Sequence, residues 1–239
     1  MKKFFIAALL LTLTVGCACA EEVPDVPDYG GTAAAPEDIN HADSIYFTHT
    51  NFYDLTSTDG RIILTHYPTA LQKSDFSCGP VAALTVLHWF GNNNFDEATL
   101  VREMKTQPLV GTSLSNMVKF FRDLGWEVHS SLDSPRIEDN EAFRKFVVDN
   151  LSAGTPIMVE NVEYGGHWRV IVGYDTLGTE NLFDDVLIFA DPLDTSDHHS
   201  DGFGVGSADR FFNMWFDHSM LPEAEREQPW LTARPKNNA

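Results

Sequence analysis

An α+β fold, with a helical half packed against an antiparallel sheet, follows from three observations on this 239-residue chain. Between residues 80 and 153 apolar residues recur at helical spacing, and the runs close at Gly91, Gly125 and Gly154. Between residues 157 and 190 three short runs rich in β-branched and aromatic residues follow one another, separated by turn residues. Helices first and consecutive strands afterwards is the order of an α+β domain, not of alternating units around a parallel sheet.

Taken in order, residues 1–20 read as an export leader: Lys2 and Lys3, an apolar run from Phe4 to Val15, then Ala18-Cys19-Ala20 as a small-residue cleavage site. The run is shorter than the about 20 residues that a membrane helix needs, and no other segment is apolar enough to cross a bilayer. A second reading takes Thr14-Val15-Gly16-Cys17 as a lipoprotein processing site, with a lipid anchor on Cys17 and Cys19 left in the tail. Cleavage after Ala20 is the better-formed of the two, and both put the chain outside the cytoplasm. Residues 21–42 are acidic and rich in proline, glycine and alanine, as a flexible spacer is.

The folded domain is expected over residues 43–221, about one domain's worth of chain. Ile45, Phe47 and Phe52 alternate with polar residues in an extended pattern, and Ile62-Ile63-Leu64 reads as another extended piece. Pro80 suits a first helical turn, and residues 81–90 are apolar on nearly every face, which suits a helix in the middle of a core. Asn94 or Asp96 caps a short helix running through Met104. Thr112 or Ser113 caps the next, which carries Leu114, Met117, Val118, Phe121 and Leu124. Residues 140–153 repeat the design with Phe143, Phe146, Val147 and Leu151. Strands are expected at 157–162, 168–174 and 186–190, and Ser207 caps a last short helix with Phe211, Phe212, Trp215 and Phe216. Residues 222–239, polar and punctuated by proline, read as a loose C-terminal tail.

The chain has 16 basic and 35 acidic residues, a net charge of −19. Loss of Lys2 and Lys3 with the leader leaves 14 basic residues and a net charge of −21. That balance argues against nucleic acid and anionic membrane surfaces, which call for clustered Lys and Arg. It suits solubility and leaves room for cationic partners. Nothing in the sequence implies a cofactor.

With the leader cut after Ala20, Cys78 is the single remaining cysteine, so it has no internal disulfide partner. An inert buried thiol, an intermolecular link and a nucleophile remain open. Cys78 stands at or just before a helix N-terminus, where unsatisfied N–H groups favour a thiolate. Gly165-Gly166-His167 opens a strand, and an imidazole there is able to take the thiol proton and return it to a leaving amine. His88, inside the apolar helix, and His198 and His199, in a polar loop, are weaker candidates. Asp175 ends the strand that His167 begins, roughly 25 Å away at the rise of an extended chain. An antiparallel return along residues 186–190 instead brings Asp191 beside His167, where a carboxylate orients the ring and stabilises its charged form. Gln72, six residues before Cys78, has an amide able to stabilise an oxyanion together with the Cys78 backbone N–H.

Gln72 through Cys78-Gly79-Pro80, Gly111-Thr112-Ser113, Gly154-Thr155-Pro156, Gly166-His167-Trp168, Gly173-Tyr174-Asp175 and Asp191-Pro192 occur in an order that resembles the bacteriocin-processing family of papain-like cysteine peptidases, in its stand-alone secreted form. The likeness covers roughly residues 65–216. It implies a papain-like fold, a peptide or protein substrate, Cys78 as nucleophile, His167 as base, Asp191 as its orienting partner and Gln72 in the oxyanion hole. Ser77 stands where many members have aspartate, the His167–Asp191 interval is long, and no transporter is attached, so cleavage after a double glycine is not implied.

Asp191, Asp194, Asp197, His198, His199 and Asp201 crowd one loop ending at Gly202, but their spacing fits no standard metal-ligand pattern, and a solvated loop is expected. The same triad would serve an acyl transferase resembling phytochelatin synthase or transglutaminase, and a non-catalytic papain-like binding module is the rival from another class.

Overall fold

Four of the five helices found among the described residues begin where a side-chain oxygen accepts from the backbone N–H three residues on. Asp96 starts α2 (Glu97–Glu103), Ser113 starts α3 (Leu114–Asp123), Asp139 starts α4 (Asn140–Ser152) and Ser207 starts α5 (Ala208–Asn213). The first helix, α1 (Cys78–Trp89), differs: its N-cap Ser77 makes no capping bond, and every residue from Cys78 to Leu87 is buried. The computed structural model describes residues 46, 48–195, 197 and 199–236. The leader, the spacer, the lipid-anchor reading at Cys17, the extended reading at Ile45 and Phe47, and His198 lie outside the described residues.

Seven strands form one antiparallel sheet: β1 (Arg61–Ile63), β2 (Glu127–Ser130), β3 (Ile157–Asn161), β4 (His167–Asp175), β5 (Val186–Ala190), β6 (Phe203–Ser207) and β7 (Trp230–Arg234). Their order is β2-β7-β3-β4-β5-β6, with β1 added beside the second half of β4. Along one edge, β4 pairs first with β3, Asn161 opposite His167, and then with β1, Ile63 opposite Gly173. Its other edge pairs with β5, Val170 opposite Ala190. All residues from His167 to Tyr174 are buried, so β4 is covered on both faces, and α1 and α4 both contact it. This is the α+β arrangement expected from the sequence.

The reading of residues 222–239 as a loose tail does not hold for residues 230–234. Residues 230–234 form β7 in the interior of the sheet, with Thr232 opposite Ile157 on one side and His129 on the other. Pro229 and Pro235 bound this strand rather than interrupt it, which suits a residue that cannot donate to a ladder. The Trp230 ring lies 4.7 Å from Phe146, which ties β7 to α4. Phe143, one turn away, packs on Phe211 and Trp215, so the aromatic residues after Ser207 complete the core around α4. Strands β2 and β6 were also unexpected. One carries His129 and Ser130, the other two glycines, and neither has an apolar run to announce it. Among the described residues no helix is long and apolar enough to cross a membrane.

Candidate active site

The segment before α1 is held by neutral donors that converge on one carboxylate. Glu97 of α2 is buried, and it accepts from the Lys73 backbone N–H at 3.0 Å and the Ser77 hydroxyl at 2.5 Å. Ser77 therefore spends its hydroxyl on Glu97 instead of capping α1. An aspartate at 77 would oppose that carboxylate, so serine at this position and Glu97 complement each other. The Gln72 side chain is also buried, and its Nε2 donates to the Ser74 carbonyl at 2.7 Å. The Gln72 backbone N–H donates to the Pro192 carbonyl at 2.8 Å, which brings the loop before Cys78 against the residue after Asp191.

Gly79 explains why three separated motifs converge here. A Cβ at Gly79 would lie 2.9 Å from the Thr112 Cβ and 3.3 Å from the Trp168 ring. The Trp168 indole N–H in turn donates to the Thr112 carbonyl at 2.9 Å. Glycine thus lets the 111–113 turn and the residue after His167 close directly on the start of α1.

Across this junction, Cys78 and His167 are both buried, and the cysteine is near enough to influence the imidazole electrostatically. His167 Nε2 is 2.7 Å from Asp191 Oδ1, which leaves Nδ1 for the thiol. Burial alone would pull the imidazole down. The Asp191 charge and hydrogen bond, joined by Cys78, outweigh it and push His167 up to about 9. Burial would raise Asp191, but the charge and hydrogen bond of His167, then Arg169 and the Leu193 N–H, hold its carboxyl below the usual range. Both shifts favour the charged form of each partner in this contact. Strand direction alone located this contact, because β4 and β5 run antiparallel and return Asp191 to the start of β4. Asp175, at the far end, pairs with Arg61 at 3.3 Å.

The turn that presents His167 has positive φ at Tyr164 (54°), Gly165 (84°) and Gly166 (133°). At Gly166 a Cβ would fall 2.7 Å from Asp217 Oδ2 and 3.1 Å from Glu160 Oε1, so a buried pair of acids fills the space beneath the histidine loop. Burial, then the neighbouring Asp217, then the charge of Cys78, push Glu160 up to about 11. Sequence reading missed Glu160, Asp217, Glu97 and Arg169. A lone charge inside an apolar strand was the available signal for Glu160 and Arg169, whereas Glu97 and Asp217 have no local signature.

In the 191–202 loop, Asp194 is buried and its Oδ2 accepts from the Gly202 N–H at 2.9 Å, so this part of the loop is not solvated as expected. Burial first, then Asp197, pushes Asp194 up to about 8. Among the described residues no group of three or more His, Cys, Asp and Glu is arranged to hold a metal ion.

A sequence model of the family described as papain-like cysteine protease AvrRpt2 matches residues 62–204. Among solved structures, the chain is similar to the peptidase domain of Streptococcus ComA, a bi-functional ABC transporter involved in a quorum-sensing pathway. That likeness has 22% identity over 72% of this chain and 100% of the other, with a TM-score of 0.49. It is also similar to the peptidase domain of Streptococcus mutans ComA, at 18% identity over 71% of this chain and 100% of the other, with a TM-score of 0.38. No curated protein matches the chain.

Proposed function

Because the chain belongs to the papain-like cysteine protease AvrRpt2 family, and is thus a cysteine peptidase, we propose that it cuts peptide bonds through a thioester on Cys78. The observation that carries this reading is the buried His167–Asp191 contact at 2.7 Å, beside the buried Cys78 at the start of α1. His167 takes the thiol proton, and the Cys78 sulfur adds to the scissile carbonyl. The carbon–nitrogen bond breaks as His167 returns the proton to the leaving amine. Water, deprotonated by the same histidine, then hydrolyses the thioester and releases the acid and the free thiol. Asp191 keeps the ring oriented and charged between these steps. The Cys78 backbone N–H, at the first turn of α1, and the Gln72 Nε2 hydrogen not spent on Ser74 are the donors for the oxyanion.

Cys78→Ala is expected to abolish cleavage of a mixed peptide library while circular dichroism stays unchanged. Cleavage that survives it would remove Cys78 from the mechanism. Alkylation of Cys78 by iodoacetamide at pH 6 is expected to slow about tenfold or more in His167→Ala, and an unchanged rate would break the proposed thiol–imidazole relay. Adding an amine acceptor to the assay separates hydrolysis from acyl transfer through mass analysis of the products. We propose further that the peptidase acts outside the cytoplasm, on the strength of the Lys2-Lys3 start, the apolar run and Ala18-Cys19-Ala20. A mature N-terminus at Glu21 would support plain export, a lipid-modified Cys17 would support an anchor, and an uncut Met1 would refute both.

A further inference from the structure

We propose that the cavity flanking the His167–Asp191 pair is a subsite for a carboxylate of the peptide, on the leaving-group side of the scissile bond. The inference rests on the cleavage mechanism above. The cavity has a volume of about 400 Å³, and Tyr164, Arg169, Asp191 and Arg210 line it together with Phe189 and Phe211.

Arg169 is the unusual member. It is 8% exposed, and its guanidinium carbon stands 4.1 Å from the Phe189 ring centroid. Its Nη2 reaches Glu163 at 2.9 Å and Asn161 at 3.3 Å. Its Nη1 has only Asp191 Oδ2 at 3.9 Å, beyond hydrogen-bond distance, and its buried Nε has no acceptor. A guanidinium carries five N–H donors, so most of this fork is unsatisfied although the residue is nearly buried. Arg210, exposed on α5 at the same cavity, makes no ion pair among the described residues. The two carboxylates already present are engaged, Glu163 by Arg169 and Asp191 by His167. One more carboxylate would give Arg210 and the Nη1 of Arg169 a planar two-oxygen acceptor, the geometry an arginine fork matches. The chain's net charge of −19 opposes an anion only at long range, because salt screens charges beyond roughly 8–10 Å.

The leaving-group side follows from the chemistry. His167 must reach the leaving nitrogen to protonate it, so the departing segment passes over the histidine. The Tyr164 ring stands edge-on to His167, with centroids 5.5 Å apart, and also lines the cavity. Cys78 and Gln72 do not line it. At about 3.3 Å per extended residue, a carboxylate one to three residues beyond the cut would come within reach.

The test uses peptide pairs that differ only by Glu or Gln at the first three leaving-side positions, with free or amidated C-termini. At one of these positions the acidic member is expected to have a kcat/KM about tenfold higher, mainly through KM, and the ratio is expected to collapse in Arg210→Gln. A preference for free over amidated C-termini alone would assign the carboxylate to the chain end rather than to a side chain. Equal rates within every pair, or a preference that Arg210→Gln leaves intact, would overturn the subsite. Should no peptide be cut, the cleavage mechanism fails and the subsite is judged separately. Fluorescein-labelled versions of the same pairs are then bound to Cys78→Ala and read by anisotropy. Tighter binding of the acidic member, lost when Arg210→Gln is added, upholds the subsite, and equal binding overturns it.

Discussion

Around Cys78 the donors are neutral amides and hydroxyls gathered on Glu97, whereas around His167 opposed charges meet, Arg169 with Glu163 and His167 with Asp191, above the buried acids Glu160 and Asp217. The first set lies within residues 72–97, and the second joins β3, β4, the end of β5 and the segment after α5. The side-chain bonds that fix the nucleophile's segment are mostly made within residues 72–97, with long-range ties to Thr112, Trp168 and Pro192, whereas those around the base are made across the sheet. A defect far from the site should therefore damage the histidine side first.

The largest effect expected is from removing residues 222–239. Without β7, β3 loses one neighbour, β2 loses its partner, and Phe146 loses Trp230. The shortened chain is expected to lose cooperative unfolding and near-ultraviolet dichroism, while a chain ended after Arg234 keeps both. A truncated protein that still cleaves peptide would show that the sheet does not hold His167.

Next comes Asp191→Asn, which preserves shape but removes the charge that holds His167 protonated. A loss of about 10⁴-fold in kcat is expected, with the melting transition retained. The same variant tests a linkage. His167 titrates near 9 in the fold, above the ordinary 6.5, so its contribution to stability is complete below pH 6.5 and disappears as pH rises through 9. Urea unfolding between pH 6 and 9.5 should show that decline in the natural protein and a weaker one in Asp191→Asn.

On the cysteine side, Glu97→Ala leaves the Lys73 N–H and the Ser77 hydroxyl without their acceptor. A loss of about 1–3 kcal/mol in unfolding free energy is expected, with a smaller fall in kcat than Asp191→Asn causes. An equal fall in kcat would mean that the two sides are not separately held.

The smallest effect expected is a gain. Glu160 keeps its proton up to about pH 11 in the fold but releases it near 4.5 when unfolded, so it lowers stability increasingly as pH rises above 4.5. Glu160→Gln keeps a donor toward Asp217 and removes the penalty. A gain on the order of 1 kcal/mol at pH 8, with a shallower pH slope, is expected from urea titrations. A loss at pH 8 would mean that the protonated Glu160 supports the loop carrying His167 in a way an amide cannot replace.

Much of this was legible in residue order. The apolar run after Pro80 announced α1, Ser207 and the pairs Asn94 or Asp96 and Thr112 or Ser113 announced helix starts, and the direction of two strands was enough to choose Asp191 over Asp175. These signals are local: periodicity, capping oxygens and chain direction act between neighbours a few residues apart. The tertiary structure alone decided that β7 enters between β2 and β3, that Ser77 meets Glu97, and that Glu160 and Asp217 are buried beneath the histidine loop. It alone gave Arg169 its stacked, half-satisfied place beside Asp191. Strand edges and buried charges are matched by partners far away in the chain, and their energies depend on burial and distance, which exist only once the chain has folded.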